Sequence, residues 1–136
     1  MTAPVKDMLD TYPLDLGRVD REALARCIAE CFACSQACTA CADSCLSEQN
    51  VAELTKCIRT NLDCADICDT TGRVLSRHTG YDANISRAQL EACAQACATC
   101  ADECRMHADQ HAHCRVCAQA CRRCEEACRE LLASLG

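Results

Sequence analysis

The sequence predicts an all-α protein: an up-down-up-down four-helix bundle with a cysteine-lined core and a short N-terminal helix. Three observations support this prediction. Cysteine accounts for 18 of the 136 residues, far above ordinary usage. The cysteines recur in steps that alternate three and four residues, which places them on one face of a helix. Four such stripes are joined by short connections, and short connections favour antiparallel neighbouring helices.

The first helix is predicted over residues 20–47 and carries the longest cysteine stripe. Asp20 is placed to cap its N-terminus, and Val19 and Leu24 are spaced as a hydrophobic staple. A shorter helical turn is expected before it, near residues 4–11. Six cysteines lie in the seam register of the first helix: Cys27, Cys31, Cys34, Cys38, Cys41 and Cys45.

The second helix is predicted over residues 51–78 and carries an interrupted stripe. Asn50 with Glu53 suits its start, and Gly80 suits the turn that ends it. Asn61 stands where a fourth cysteine would complete the register. Its amide either offers an oxygen as a ligand or leaves space. The cysteines of this stripe are Cys57, Cys64 and Cys68.

The third helix is predicted over residues 87–107. Ser86 with Gln89 matches a capping box, and Ile85 with Leu90 matches the accompanying hydrophobic staple. The third stripe consists of Cys93, Cys97, Cys100 and Cys104.

The fourth helix is predicted over residues 110–133, after a tight turn. Its stripe shows the same alternation of three and four. This stripe consists of Cys114, Cys117, Cys121, Cys124 and Cys128.

The seams continue differently at the two ends of the predicted bundle. One end, called the closed end, is apolar; its seam residues are Leu24, Thr71, Leu75, Leu90, Leu131 and Leu135, with Met8, Leu9 and Leu14 as further candidates. The other end, called the mouth, is polar; it carries Glu48, Leu54, Met106, His107, His111 and His113. We therefore expect residues 1–19 to form a segment that caps the closed end and residues 20–136 to form the bundle domain.

Composition excludes several classes of function. The net charge of −6 and the 2% of aromatic residues argue against a nucleic-acid partner, and no apolar run is long enough to span a membrane. Residues 1–13 lack the basic and apolar regions of an export signal, so we expect a cytoplasmic protein whose thiols stay reduced. No catalytic Ser/His/Asp pattern, phosphate loop or paired-acid cleft is visible, and the protein is not expected to be an enzyme.

Metal binding explains the cysteines better than packing or disulfides. Smaller or aliphatic residues would fill a core without the oxidation hazard of 18 thiols. Residues three or four apart in a helix hold their Cβ atoms about 5–6 Å apart, too far for a disulfide within that helix. Disulfides between helices remain possible, although the expected cytosolic setting opposes them. Zinc and iron–sulfur clusters remain alternatives, as does a thiol redox role, although the usual ferredoxin spacing is absent. Cu(I) fits best, because it is soft and prefers thiolate ligands.

The stripes CIAECFACSQACTACADSC and CAQACATCADEC, followed by RMHADQHAHC, resemble those of the bacterial copper storage proteins, the Csp family. The resemblance covers roughly residues 20–133 and is to the cytosolic branch without an export signal. It implies that thiolates inside the bundle store many Cu(I) ions per monomer, for copper supply and detoxification. It also implies a homotetramer and metal entry at the histidine-bearing end.

The resemblance extends to residues outside the stripes. The positions of His107, His111 and His113 match the mouth histidines of that family, and Met106 lies beside them. The expected metal ligands are therefore the 18 cysteines, these three histidines, Asn61 and Met106. Copper ions are the expected bound species, and a copper chaperone or an efflux system is an expected protein partner.

Overall fold

The computed structural model describes residues 4–135 of the chain. Over that range it contains five α-helices and no β-strand, and one 3₁₀ turn at Val51–Leu54 precedes the third helix. The helices are α1 (Val5–Asp10), α2 (Arg21–Leu46), α3 (Thr55–Leu75), α4 (Ala83–Arg105) and α5 (Ala112–Leu135). Residues 1–3 and 136, at the outer limits of the two predicted domains, lie outside the described residues.

Helices α2 to α5 form a ring in which each long helix packs on two neighbours. Helices α2 and α4 both pack on α3 and on α5, and α1 packs on α2. The Sγ atoms of Cys27 and Cys128 lie 3.7 Å apart, and those of Cys41 and Cys114 lie 3.9 Å apart. Because later residues of α2 meet earlier residues of α5, these helices are antiparallel. The predicted four-helix bundle with a short N-terminal helix is confirmed.

The start of α2 agrees with the prediction, whereas the start of α4 does not. The Asp20 carboxylate accepts a hydrogen bond from the Ala23 backbone N–H at 3.1 Å. Helix α4 begins one turn earlier than expected, because Asp82 rather than Ser86 caps it and accepts from the Asn84 N–H at 2.8 Å. Ser86 is buried within the helix. The predicted capping box was therefore wrong.

Two side chains that were assigned to that helix start do other things. Gln89 donates its amide hydrogen to the Thr71 hydroxyl at 2.8 Å, which joins α4 to α3. Ile85 is 63% exposed, so it does not form the expected staple. The contact between Gln89 and Thr71 spans two helices, and a cap pattern read along one helix does not reveal it.

The other helix limits differ from the predictions by a few residues. Helix α3 ends at Leu75, and Gly80 adopts its positive φ of 69° in the turn beyond it. The chain begins α3 with a 3₁₀ turn at Val51–Leu54. Between α4 and α5, the His107 carbonyl accepts from the backbone N–H groups of Gln110 and His111. These bonds form the tight turn expected there.

The core of the bundle consists mainly of cysteine side chains. All 18 cysteines are buried and free, and the apolar residues around them include Leu54 and Leu90, which are fully buried. Gly72 of α3 accommodates the only phenylalanine, since a Cβ built at Gly72 would lie 2.8 Å from Cζ of Phe32. None of the described helices is long and apolar enough to cross a membrane.

Candidate metal centre

The four cysteine stripes meet along the axis of the bundle. Cys38 shows how closely: its Sγ lies 3.6 Å from that of Cys121, 3.7 Å from Cys117, 3.8 Å from Cys34 and 3.9 Å from Cys100. The seam register brings these thiols to one line because all four helices turn the same face inward. We call this line of thiols the sulfur column.

The sulfur column contains overlapping sets of four thiols, each with all its sulfur atoms within 4.8 Å of one another. Four of these sets are linked to one another by shared cysteines. A soft ion placed in one set would lie beside thiols of the next, an arrangement suited to bridged Cu(I)–thiolate clusters. Four of the sets are Cys31/Cys93/Cys124/Cys128, Cys34/Cys68/Cys97/Cys124, Cys34/Cys38/Cys64/Cys121 and Cys38/Cys100/Cys117/Cys121.

The protonation of the column varies with position. Burial raises the pKa of Cys45 to about 11 and also raises the pKa of Cys114. Hydrogen bonding, from Cys104 first and then Cys41, lowers the pKa of Cys57, because such bonds stabilise a thiolate. Thiols with raised pKa values carry protons in the metal-free protein, so metal binding there releases them.

Asn61 fills the interruption in the α3 stripe and is fully buried. Its Oδ1 accepts hydrogen bonds from the thiols of Cys117 at 3.0 Å, Cys100 at 3.1 Å and Cys104 at 3.5 Å. Its Nδ2 donates to Cys57 at 3.3 Å. A buried amide needs such partners, and here all of them are thiols. The Asn61 side chain therefore fills the gap in the α3 stripe and is hydrogen-bonded to thiols of the sulfur column.

The column ends at the mouth in a set of mixed ligands. Nδ1 of His113 lies 3.4 Å from Sγ of Cys41 and 3.6 Å from Sγ of Cys114. Cys45 completes the group, whose four ligand atoms all lie within 4.8 Å of one another. Helix α5 supplies His113 and Cys114, and α2 supplies the other two. An imidazole thus joins three thiols where the column approaches solvent.

Glutamates hold the three mouth histidines. Oε2 of Glu48 lies 2.9 Å from Nδ1 of His111 and 2.8 Å from Nε2 of His113, and these two rings stack 5.5 Å apart. Nε2 of His107 lies 3.0 Å from Oε2 of Glu103. Hydrogen bonding to His113 is the main cause that lowers the pKa of Glu48. The sequence placed Glu48 in the mouth register but gave it no role.

Met106 lies outside the buried core. It follows α4 as the C-terminal cap residue, and its side chain is 70% exposed. Its thioether therefore faces solvent beside the mouth, apart from the sulfur column.

The closed end is made of packed leucines. Leu90 and Leu131 are buried, and Leu9 of α1 belongs to the same buried apolar cluster. Met8 and Leu14 remain about two-thirds exposed, at 67% and 68%, so they do not contribute to this layer as expected. A cavity of about 500 Å³ lies outside the leucines, and no cysteine lines it. The leucines thus separate this cavity from the sulfur column.

A helical bundle lined by free, clustered thiols defines a class of protein, the thiolate metal-binding bundles. The sequence model of the copper storage protein family, Csp, matches residues 20–133. The chain belongs to the copper storage protein family.

Solved structures of copper storage proteins are similar to this one. The copper storage protein Ccsp from Streptomyces lividans, loaded with 10 copper equivalents, is 70% identical with a TM-score of 0.95, covering 96% of this chain and 98% of that one. Another structure, of a cytosolic copper storage protein from Streptomyces lividans with five coppers, is 71% identical with a TM-score of 0.85, covering 86% and 98%.

Two more distant relatives are similar at lower sequence identity. The Cu(I)-bound copper storage protein BsCsp3 is 36% identical with a TM-score of 0.70, covering 78% of this chain and 94% of that one. The uncharacterized cysteine-rich protein YhjQ of Bacillus subtilis is 36% identical over 89 residues, which are 65% of this chain and 77% of the relative.

Proposed function

We infer that this protein stores many Cu(I) ions in the cytosol, bound by cysteine thiolates inside the bundle. Storage supplies copper when it is needed and removes it when it is in excess. The protein is a storage protein and not an enzyme, in keeping with its family. The observation that carries this function is the sulfur column: 18 buried free thiols, most of which belong to sets of four ligand atoms that lie within 4.8 Å of one another.

Anaerobic titration with Cu(I) against a chromophoric competitor tests storage directly. We expect the reduced protein to take up many ions per monomer before the competitor is metallated. A capacity of one or two ions would contradict storage. Preferential binding of cobalt or zinc at a tetrahedral site would instead favour a zinc site. Visible absorption from an iron–sulfur cluster would favour that alternative.

The proposed copper ligands are those that the sequence predicted. The 18 cysteines form the store, and His107, His111 and His113 form its entrance. Asn61 is proposed to release its thiol hydrogen bonds during loading and to offer Oδ1 to a nearby ion. Met106, exposed beside the entrance, is proposed as an outer thioether contact for arriving Cu(I). Cu(I) crystal structures loaded in steps would test this order of use.

The mouth is proposed as the passage for copper because the opposite end is packed with buried leucines. Imidazole nitrogens at the mouth can accept an ion from outside and pass it to Cys41, Cys45 or Cys114 by exchanging one ligand at a time. This route never exposes a bare ion. Stopped-flow loading of variants that lack the histidines tests it, as described in the Discussion.

Protein partners are proposed in two forms. The first is a homotetramer, for which exposed small and apolar residues on the outer helix faces, such as Ala33 and Leu62, provide contact surfaces. Light scattering after size-exclusion chromatography measures the mass and tests the tetramer. The second is a copper chaperone or efflux system, for which transfer of Cu(I) from a loaded donor protein is the test.

Residues 1–19 are proposed to form a segment that covers the closed end of the bundle domain at 20–136. Two contacts support this: Leu9 is buried, and the Tyr12 hydroxyl lies 2.9 Å from Thr79 Oγ1. A chain that starts at residue 20 should keep its copper capacity and lose thermal stability, which titration and circular dichroism would measure.

A further inference from the structure

We propose that Glu48 is a positioning residue that fixes the tautomers of His111 and His113, so that both rings present a free nitrogen to incoming copper. This role deepens the copper storage inferred above and rests on it. Glu48 is not a member of the five ligand sets named above, and it acts through the two imidazoles that it contacts.

One carboxylate oxygen makes both contacts. Oε2 of Glu48 lies 2.9 Å from Nδ1 of His111 and 2.8 Å from Nε2 of His113. An ionised carboxylate can only accept hydrogen bonds, so the hydrogen lies on the imidazole nitrogen in each pair. In a neutral imidazole the other nitrogen then carries the lone pair. His111 is therefore left with a free Nε2, and His113 with a free Nδ1.

The surroundings of the two free nitrogens differ. Nε2 of His111 is buried and has no hydrogen-bond partner among residues 4–135, an unfavourable state for a polar atom that a bound ion would relieve. Nδ1 of His113 lies 3.4 Å from Sγ of Cys41 and 3.6 Å from Sγ of Cys114. His111 and His113 therefore leave different ring nitrogens free, because each donates a different one to Glu48.

The position of Glu48 suits this task. It follows α2 directly, and its backbone N–H donates to the carbonyl of Cys45 at 3.2 Å, which ties it to the cysteine stripe. Its side chain is 31% exposed, so the carboxylate sits at the border between the column and water. Carboxylates that orient metal-binding histidines typically contribute about 10–100-fold to metal affinity.

Nuclear magnetic resonance of the histidine ring nitrogens in the reduced, metal-free protein tests the tautomers without copper. At a pH where the rings are neutral, we expect His111 to carry its hydrogen on Nδ1 and His113 on Nε2. In E48A both rings should become tautomer mixtures. E48Q should keep the parent tautomers, because an amide oxygen can accept the same two hydrogen bonds.

The matched control is E53A. Glu53 is an exposed carboxylate at the same end of the bundle and contacts Asn50 at 3.3 Å rather than a histidine. E53A removes the same charge and should leave both tautomers unchanged. Circular dichroism of the variants confirms that the bundle is intact, since neither side chain belongs to the core.

Copper binding supplies the second readout. The affinity of the mouth ligands for Cu(I) should fall about 10–100-fold in E48A and stay at the parent value in E53A, with equal total capacity in both. Parent tautomers in E48A, mixed tautomers in E48Q, or equal affinities of the mouth in E48A and E53A would overturn the role of Glu48. Failure of storage itself would appear separately, as a low capacity of the parent protein.

Discussion

The closed end and the mouth are built from opposite ends of the same four helices, and they differ in the chemistry of most of their seam residues. At the closed end the seam positions hold leucines such as Leu90 and Leu131, which are buried and have no polar atoms in their side chains. At the mouth the seam holds His107 and His111, each in contact with a glutamate. One seam register can therefore provide apolar packing at one end and metal access at the other, with thiols between them.

The largest expected effect concerns the sulfur column between the two ends. Replacing Cys34, Cys38, Cys97 and Cys121 with alanine should remove several Cu(I) ions from the total capacity, because thiolate is the ligand that Cu(I) prefers. Anaerobic competitive titration measures the loss. The histidine variant described below is the control, since it should retain nearly all ions. An unchanged capacity would show that these thiols do not bind copper.

The closed end should matter most for folding. Leu90 is fully buried, so Leu90→Ala should lower the free energy of unfolding by about 2–5 kcal/mol. Urea denaturation followed by circular dichroism measures it in the metal-free protein. The control is Leu46→Ala, at a position 61% exposed, which should change that free energy by less than about 0.5 kcal/mol. Equal effects would mean that the leucine layer does not stabilise the bundle.

The mouth should matter for rate rather than capacity. Replacing His107, His111 and His113 with alanine should slow loading and removal of Cu(I) about tenfold or more, by analogy with the loss of metal-site partners. Capacity should change by only a few ions. Stopped-flow loading beside equilibrium titration separates the two quantities. Parent rates would exclude these residues as the entrance, and a large loss of capacity would make them part of the store.

The release of protons from thiols should make the apparent affinity for Cu(I) depend on pH. Burial raises the pKa of Cys45 to about 11, so its thiol is protonated at neutral pH and must lose the proton to bind. Below that pKa, each displaced proton should strengthen apparent Cu(I) binding about tenfold per pH unit. Competition titrations at several pH values measure the slope. A slope of zero would mean that the bound thiols were already ionised.

Copper removal should have the smallest effect on structure. The helix cap at Asp20 and the leucine layer do not depend on metal, so the reduced, metal-free protein should keep its helical circular dichroism spectrum. This differs from a zinc finger, which unfolds without its ion. A coil-like spectrum after removal by a chelator would show that copper, and not the closed end, holds the bundle together.

The sequence was sufficient for the bundle and for the course of the cysteine stripes, because a strict alternation of three and four residues is a property of one helix. It was not sufficient for the start of α4. Asp82 and Ser86 are one turn apart and both can cap a helix, and the contact of Gln89 with Thr71 removed one half of the expected capping box. Contacts between helices decided this limit.

The same reason explains what was missed at the site. Glu48 meets His113 although 65 residues separate them, and no local spacing reports such a contact. Asn61 could be identified as an interruption, but its bonds to thiols of α4 and α5 depend on how three helices meet. The cysteine ligands could be identified within single stripes. The contacts of Glu48 and Asn61 could not, because they depend on how the helices pack together.

A column of near-identical thiols carries little information about alignment, and the contact between Phe32 and Gly72 supplies some of it. Sliding one helix by a heptad would bring one cysteine to the place of another, with almost the same fit. Phe32 is the only aromatic residue of α2, and Gly72 is the only glycine of α3. A Cβ at Gly72 would lie 2.8 Å from Cζ of Phe32, so the ring fits opposite that one position. The repeated cysteines are thus available for metal, while the fit of Phe32 against Gly72 favours one alignment of α2 and α3.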